Sequence, residues 1–197
     1  MRRHGLSPTP TRALDHVFAP TPCAQDRYPL FSTARSSYAP SVITVALASE
    51  ADLGRLVDLE AALFLEDAGR HDRFADVTWP RRDGRADFVR LIRDTDALVM
   101  VATIEDSVVG HLVAYLASSA PTRQPVTYAV LRSLYVEPAN RNHGVGQMLT
   151  EQFLAWARRH QCVEAQVDSY SANTGAQRFY ERIGFITRSV SLAMPLA

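Results

Sequence analysis

The stretch 131–147, LRSLYVEPANRNHGVGQ, contains the pattern that decides the fold of this chain. Apolar residues lead to Val136, Pro138 ends the strand, and glycines at 144 and 146 precede a long amphipathic segment. The pattern predicts a strand, a glycine-bearing turn and the start of a helix. Unpaired backbone N–H groups and the positive end of the helix dipole favour anions at such a position. We therefore predict that this turn binds a pyrophosphate.

A second stretch, 173–185, NTGAQRFYERIGF, follows one predicted strand later. Its apolar residues recur at helical spacing, and Gly184 ends the helix. Asn173 and Tyr180 are seven residues apart, so their side chains lie on one face of the helix. This segment predicts a short helix that presents an amide and a phenol to the same surroundings.

Strands and helices alternate around these two stretches. Ser49 has the pattern of a helix N-cap, because apolar residues at helical spacing follow it. A long helix is predicted from Gly144 to about His160. The pattern further predicts strands over Val42–Ala46, Ala97–Ile104, Val108–Leu116, Tyr128–Val136, Val163–Ser169 and Phe185–Leu196, a loop over Glu66–Asp83 and a helix over Gly84–Arg93. We therefore predict an α/β protein with a mixed, buried central sheet.

The composition excludes several classes of protein. The 197 residues are 47% hydrophobic, and 21 Lys and Arg residues balance 21 Asp and Glu residues, so no net field recruits nucleic acid or an anionic membrane. No apolar run approaches the roughly 20 residues that a membrane helix needs. Cys23 and Cys162 lack neighbours at metal-ligand spacing, which indicates neither a disulfide framework nor a metal site. We expect a cytoplasmic protein; its oligomeric state stays open, with a homodimer among the alternatives.

The first 40 residues differ in composition from the rest. They contain six of the eleven prolines, and proline fixes φ and removes a backbone donor. We predict a Pro-rich extension over residues 1–40 and one domain over residues 41–197. A mitochondrial address is the alternative for the extension, but Asp15, Asp26 and the prolines disfavour an amphipathic helix. A tail that wraps the domain or a partner subunit is the favoured interpretation.

The two stretches, in this order and about thirty residues apart, resemble the motifs of the GNAT superfamily of N-acetyltransferases. The matching patterns are Val136-x-Pro138-x-x-Arg141-x-x-Gly144-x-Gly146 and Asn173-x-x-Ala176-x-x-Phe179-Tyr180-x-x-x-Gly184-Phe185. The resemblance covers roughly Val42 to Leu196. It implies a central, mostly antiparallel sheet with a splayed parallel pair, flanked by helices. It also implies an enzyme that moves an acetyl group from acetyl-CoA to a primary amine by direct attack.

The resemblance implies roles for individual residues. Main chain at the strand end would pair with the pantetheine amides, and N–H groups of the turn would hold the pyrophosphate. Tyr180 would protonate the departing thiolate as general acid. The implied cofactor-binding residues are Leu134, Tyr135, Val136, Arg141, Asn142, His143, Gly144, Val145, Gly146, Gln147 and Asn173, with no metal. The alternatives are a core role for Tyr180, an N-cap role for Asn173 and a bracing role for Arg141.

The general base is not assigned by the resemblance. Many members of the family carry a Glu eleven residues ahead of the position of Arg141, where this chain has Val130. His111 and His160 are interpreted as structural. The candidates to accept the amine proton are Tyr128, Asp168, Glu66 and Asp67, with ordered water as the alternative.

The acceptor is the least determined part of the prediction. By the resemblance, Leu65–Pro80 and Ile186–Met194 wall the acceptor side. The first range holds four carboxylates against two arginines, a net charge of −2, which favours a cationic amine. A small-molecule amine is the favoured acceptor, with a protein Lys or N-terminus as the alternative. A non-catalytic acyl-CoA-binding module and another kind of nucleotide-binding protein also stay open, although the turn lacks the glycine spacing of ATP and dinucleotide loops.

Overall fold

Five strands form a mixed sheet in the computed structural model, which describes residues 42–194 and residue 196. The strands are β1 (Ile43–Leu47), β2 (Ala97–Ile104), β3 (Ser107–Ser118), β4 (Thr127–Val136) and β5 (Ala165–Val167). The helices are α1 (Leu53–Glu66), α2 (Ala68–His71), α3 (Trp79–Arg82), α4 (Gly84–Arg93), α5 (Val145–Arg159) and α6 (Thr174–Ile183). The strands lie in chain order; β1 to β4 are antiparallel to their neighbours, and β5 is parallel to β4. This is the mixed α/β architecture that the sequence predicts.

Both faces of the sheet are covered, as the near-continuous apolar character of β2 and β3 predicts. On one face α5 buries Leu149 and Phe153 against the strands. On the other face α1 and α4 bury Leu56 and Phe88. The sheet therefore holds α1 and α5 at defined positions on its opposite sides.

Strand β4 contains a β-bulge at Arg132. Its pairing with β3 passes from Leu131 directly to Ser133, so Arg132 has no partner on β3. One extra residue shifts the side-chain alternation of a strand. Leu131 and Leu134 consequently both pack against the α5 core, while Tyr135 lies on the α1 side. The bulge thus sets the orientation of the last residues of β4.

The parallel pair is short, and β4 extends past it. Only 129–131 of β4 pair with Ala165–Val167 of β5. Beyond this pairing, residues 132–136 of β4 have no β5 partner, while 133–136 stay paired with β3 on the other side. The two strands therefore part at the end of β4 that leads into the glycine-bearing turn.

Two features of the segment that joins α1 to α4 differ from the prediction. The structure places the short helices α2 and α3 where the charge content and Pro80 predict a loop. Pro80 lies in the first turn of α3, where its missing N–H leaves no helical bond unmade. The loop signal of a proline therefore marks a helix start here.

The predicted strand over Phe185–Leu196 is wrong. The described residues of this segment form no strand, and Ile186, Val190, Leu192 and Met194 are 75–92% exposed. Alternating apolar residues show which side chains would share a face, but a strand also needs a hydrogen-bonded neighbour. The strand predicted over Val163–Ser169 is present but shorter.

The predicted extension, residues 1–40, lies outside the described residues. No helix in the described part of the chain is long and apolar enough to cross a membrane.

Candidate active site

A cleft of about 520 Å³ lies where β4 and β5 part, between the end of α1 and helix α6. It brings together eight of the twelve sequence-predicted site residues: Leu134, Tyr135, Val136, Arg141, Asn142, Gly146, Asn173 and Tyr180. The other four, His143, Gly144, Val145 and Gln147, lie in the adjoining turn and first helical turn but do not line the cleft. The two sequence motifs therefore meet at one place in the fold.

The end of β4 contributes main chain to the cleft. Leu134, Tyr135 and Val136 pair with β3 on one side and have no β5 partner on the other. An unpaired strand edge can accept an extended ligand as an additional strand. The Val136 carbonyl already accepts a 2.8 Å hydrogen bond from Arg141 Nε, so it is only partly available to a ligand.

The start of α5 contributes unpaired backbone donors. Gly144 precedes the helix with φ +88°, a left-handed conformation that favours glycine, and makes no side-chain cap. The first helical bond runs from the Met148 N–H to the Gly144 carbonyl at 3.0 Å, so the earlier N–H groups lack partners within the helix. Val145 is only 1% exposed and anchors this turn in the core.

Gly146 is required by packing against α6. A Cβ at this position would lie 3.3 Å from Phe179 Cζ, whereas a Cβ at Gly144 would meet no atom within 4 Å. The two glycines therefore serve different purposes: Gly144 supplies the backbone angle and Gly146 the close approach of helices. The side chain of Gln147 bonds Glu151 along the helix, and that of His143 is exposed.

Arg141 is bound to a carboxylate across the cleft. Its Nη1 and Nη2 donate to Glu66 Oε1 and Oε2 at 2.6 and 2.8 Å, and its guanidinium carbon lies 5.3 Å from the centre of the Tyr135 ring. The hydrogen bonds from Arg141 outweigh partial burial and hold the pKa of Glu66 below its ordinary value. Burial, and then the Glu66 charge, raise the pKa of Tyr135. The bidentate pair with Glu66 is the contact that a bracing role of Arg141 requires.

Tyr180 lies half-buried on the cleft side of α6. Its ring packs edge-on against Phe179 and Phe185, at centroid distances of 5.2 and 5.6 Å. Burial, with the charge of Asp67 as a second cause, raises the pKa of the Tyr180 phenol well above its ordinary value of 10.0. The phenol is therefore protonated at neutral pH. Tyr180 combines the core role and the cleft role that the sequence left as alternatives.

Asn173 caps α6 and joins it to the opposite wall. Its Oδ1 accepts a 3.0 Å hydrogen bond from the Ala176 N–H, which confirms the N-cap. Its Nδ2 donates to Asp67 Oδ1 at 2.8 Å. Asp67 is the C-cap residue of α1, so this bond links the two sides of the cleft. The sequence gives no signal for the link, because 106 positions separate its partners.

Four other residues considered in the sequence analysis, His111, His160, Tyr128 and Asp168, lie outside the cleft. His111 is fully buried in the sheet and its Nε2 lies 2.7 Å from Glu60 Oε2. His160 packs on Trp156 at a centroid distance of 4.8 Å, so both histidines occupy structural positions. Neither Tyr128 nor Asp168 lines the cleft.

Of the two segments predicted to wall the acceptor side, the first lines the cleft and the second does not. From the first wall, Glu66, Asp67, Arg70 and His71 line the cleft. Asp76 instead bonds Thr78 and Arg82, and these hydrogen bonds lower its pKa to about 2. The second wall, Ile186–Met194, does not line the cleft.

Comparison with known proteins agrees with this geometry. The model of the acetyltransferase (GNAT) family matches residues 61–185. No curated protein matches the sequence. A mutant of the BH1408 protein from Bacillus halodurans superposes with a TM-score of 0.72 at 19% identity, covering 78% of this chain and 99% of that one.

Two similar structures are aminoglycoside acetyltransferases. Aminoglycoside antibiotic 6'-N-acetyltransferase AAC(6')-IG from Acinetobacter haemolyticus has a TM-score of 0.59 at 22% identity, over 78% of this chain and 99% of that chain. AAC(6')-Iy, in complex with the bisubstrate analog CoA-S-monomethyl-acetylneamine, has a TM-score of 0.63 at 17% identity, over 80% and 99% of the two chains. At these identities the likeness shows the shared fold.

Proposed function

Because the chain belongs to the GNAT family of acetyltransferases and is an acetyl-CoA-dependent acyltransferase, we propose that it acetylates the primary amine of a small molecule, with Tyr180 as general acid. The observation that carries the proposal is the convergence, in one cleft, of the open edge of β4, the uncapped start of α5 and Tyr180. This arrangement places groups suited to an extended arm, an anion and a leaving group side by side.

The residues of the cleft fit acetyl-CoA. Main chain of Leu134, Tyr135 and Val136 has the open edge that a pantetheine arm with two amides needs. The N–H groups of 145–147, which lack partners within the helix, suit the pyrophosphate. Asn173, already the cap of α6, is placed to contact the arm. Arg141 acts through Glu66 as the brace of the turn.

The reaction is a direct transfer. Acetyl-CoA supplies an activated carbonyl; the amine nitrogen attacks it, the carbon–sulfur bond breaks, the amine loses a proton and the departing thiolate gains one. A backbone N–H at the end of β4 polarises the carbonyl, an effect worth about 3–4 kcal/mol for one well-aimed donor. No covalent enzyme intermediate is needed, and neither motif contains a cysteine.

The protonation state of Tyr180 suits a general acid. Its raised pKa keeps the phenol protonated throughout the physiological range. A high pKa by itself would make the phenol a weak proton donor. The same poorly solvated surroundings also destabilise a departing thiolate and raise its basicity, so the proton transfer is favoured where the thiolate forms.

The acceptor is proposed to be a small amine on two grounds. Two structurally similar proteins are named as aminoglycoside acetyltransferases. In addition, the acceptor side of the cleft presents Glu66 and Asp67, and among the described residues the ion pair with an arginine is made by Glu66. The charge of Asp67 favours a cationic group over an anionic one at this side of the cleft.

The test is the substitution Tyr180→Phe, with Tyr170→Phe as control. Tyr170 lies against His71 at a ring distance of 5.5 Å but does not line the cleft. An acceptor screen by CoA release and mass spectrometry first identifies the amine. We expect Tyr180→Phe to lower kcat at least about 100-fold, the usual scale of general acid catalysis, without changing acetyl-CoA affinity.

Two results would overturn the proposal. Equal kcat in Tyr180→Phe and the control removes the general-acid role. Failure of acetyl-CoA to raise the melting temperature, with ATP or NAD raising it instead, removes the cofactor assignment, because only a ligand that binds the folded state stabilises it.

A further inference from the structure

Four side chains are predicted from the sequence as candidates to accept the proton of the acceptor amine, and one of them lies in the cleft without an arginine bound to both of its oxygens. Tyr128 lies seven residues before Tyr135 along β4, or about 23 Å at the rise of a strand. Asp168 is exposed outside the cleft. Glu66 lies in the cleft, but both of its oxygens accept hydrogen bonds from Arg141. Asp67 remains.

Asp67 lines the same cleft as Tyr180. Among the described residues its side chain has two polar partners, and both contact Oδ1. Oδ1 accepts the hydrogen bond from Asn173 Nδ2 at 2.8 Å, and His71 Nε2 lies 3.7 Å from the same oxygen. Within residues 42–194 this contact with His71 is the only ion pair of Asp67. In this part of the chain Asp67, unlike Glu66, has no guanidinium within ion-pair distance. The negative charge of Asp67 also contributes to the raised pKa of Tyr180, as expected of two groups that face one cavity.

We propose that Asp67 recognises the acceptor as a cation: it binds the ammonium form of the acceptor's amine in the cleft that holds Tyr180, the ammonium loses one proton to water before its nitrogen attacks, and the substrates are so restricted to amines that are positively charged at neutral pH. This inference rests on the proposed function. Asp67 fits the role because its Oδ1 is held by Asn173 of α6 and the residue lines the cleft. A carboxylate fixed in this way attracts an ammonium group without first having to be ordered.

The site has its own selectivity. Two further arginines, Arg70 and Arg182, line the cleft: the charge of Arg70 helps to lower the pKa of Glu66, and Arg182 lies nine residues beyond Asn173 on α6, about 13 Å away at the rise of a helix. An anionic acceptor would therefore meet Asp67 with repulsion, whereas a polyamine or amino sugar would not. The chemical class of acceptor is thus a primary ammonium on a small, cationic molecule.

The test compares Asp67→Asn with Asp168→Asn in calorimetric titrations of CoA-loaded protein with neamine, an amino sugar with several ammonium groups. Asparagine keeps an oxygen that can accept the bond from Asn173, so the substitution removes the charge and leaves the cap of α6 in place. We expect the wild type and Asp168→Asn to bind neamine equally, and Asp67→Asn to bind it about tenfold or more weakly. Asp67→Glu should recover part of the affinity.

Acetyl-CoA affinity separates this inference from the proposed function. Suppose that all variants bind acetyl-CoA like the wild type. The recognition role is then refuted if Asp67→Asn binds neamine as well as the wild type does, or if the wild type does not bind neamine. In both cases the acetyltransferase assignment stands. A parallel loss of acetyl-CoA and neamine binding in Asp67→Asn that Asp67→Glu does not reverse also refutes it, since Asp67 would then act only by holding α6. Absence of acetyl-CoA binding in the wild type would instead refute the proposed function.

Discussion

Glu60 is the charged residue whose loss should affect this fold most. It is 2% exposed on α1, and its Oε2 lies 2.7 Å from Nε2 of the fully buried His111 on β3. Arg132 Nη2 lies 3.9 Å from its other oxygen. The pair fixes the register of α1 on the sheet, and α1 ends at the two carboxylates of the cleft. Replacing Glu60 therefore tests how the acceptor wall is held in place.

The expected loss of stability follows from the buried groups that each substitution leaves without a hydrogen-bond partner. Glu60→Ala removes the partner of a buried ring nitrogen, at about 1–3 kcal/mol, and leaves a cavity. We therefore expect a total loss of about 3–5 kcal/mol, as for other broken buried pairs. Glu60→Gln keeps the volume and one hydrogen bond, so its cost should be about 1–2 kcal/mol. At about 2–4 °C per kcal/mol for a chain of this size, Glu60→Ala should melt about 6–20 °C lower.

The loss should depend on pH in a defined direction. Burial by itself raises the pKa of Glu60, but the hydrogen bond and charge of His111, with the charge of Arg132, more than offset this, so the folded-state pKa lies below the ordinary 4.5. A group with a lowered folded-state pKa stabilises the fold above its unfolded-state value. Its contribution is lost as the pH falls through the folded-state pKa. The difference between Glu60→Gln and the wild type should therefore begin to shrink as the pH falls below the unfolded-state pKa of 4.5, and should go on shrinking down to the folded-state pKa.

Urea denaturation at pH 7 and pH 4 measures both effects. Glu50→Gln is the matched control, because Glu50 is an exposed glutamate that pairs with Arg93 at the surface. Its stability should stay within about 0.5 kcal/mol of the wild type. The reasoning is refuted if Glu60→Gln unfolds like the control at pH 7, or if its deficit is the same at both pH values.

Two further substitutions test the turn. Gly144→Ala should lower the free energy of unfolding by about 1–2 kcal/mol. The left-handed φ alone causes this loss, because a Cβ at Gly144 meets no atom within 4 Å. Gly144→Asn should lose less stability in the same urea titration, and a larger loss for Asn than for Ala would contradict this reasoning. Arg141→Lys should lose the bidentate pair with Glu66, at about 0.5–1 kcal/mol since both side chains are about one-third exposed, and should weaken acetyl-CoA binding by loosening the turn. Unchanged affinity in isothermal titration would show that Arg141 does not brace the cofactor site.

The parts of the site that the sequence predicts well are encoded locally. The glycine-bearing turn before α5, the Asn173 cap and the Gly184 end of α6 each depend on a few neighbouring residues, and all three are confirmed. The strands β2 and β3 also follow the prediction closely, since their long apolar runs are unambiguous. The placement of Tyr180 beside the turn follows from these elements together with the family resemblance.

The parts that the sequence does not predict depend on distant partners. Arg141 finds Glu66 across 75 positions, and Asn173 finds Asp67 across 106. No periodicity or spacing encodes such pairs, so a brace and a phosphate ligand cannot be distinguished at Arg141 from sequence. The C-terminal segment fails for a related reason: its alternation is that of a strand, but whether a neighbouring strand is available is a property of the fold.

The single extra residue at Arg132 allows β4 to lose one position without turning its second half over. Leu131 and Ser133 already pair with the adjacent residues Ala114 and Val113, so deleting Arg132 would restore a regular strand and keep Leu134 and Tyr135 on their sides of the sheet. Deleting a residue between Ser133 and Tyr135 would instead turn the phenol of Tyr135 towards the hydrocarbon under α5, so homologues of this chain should vary in length at 119–126 and at Arg132 but keep a constant number of residues from Ser133 to Gly144.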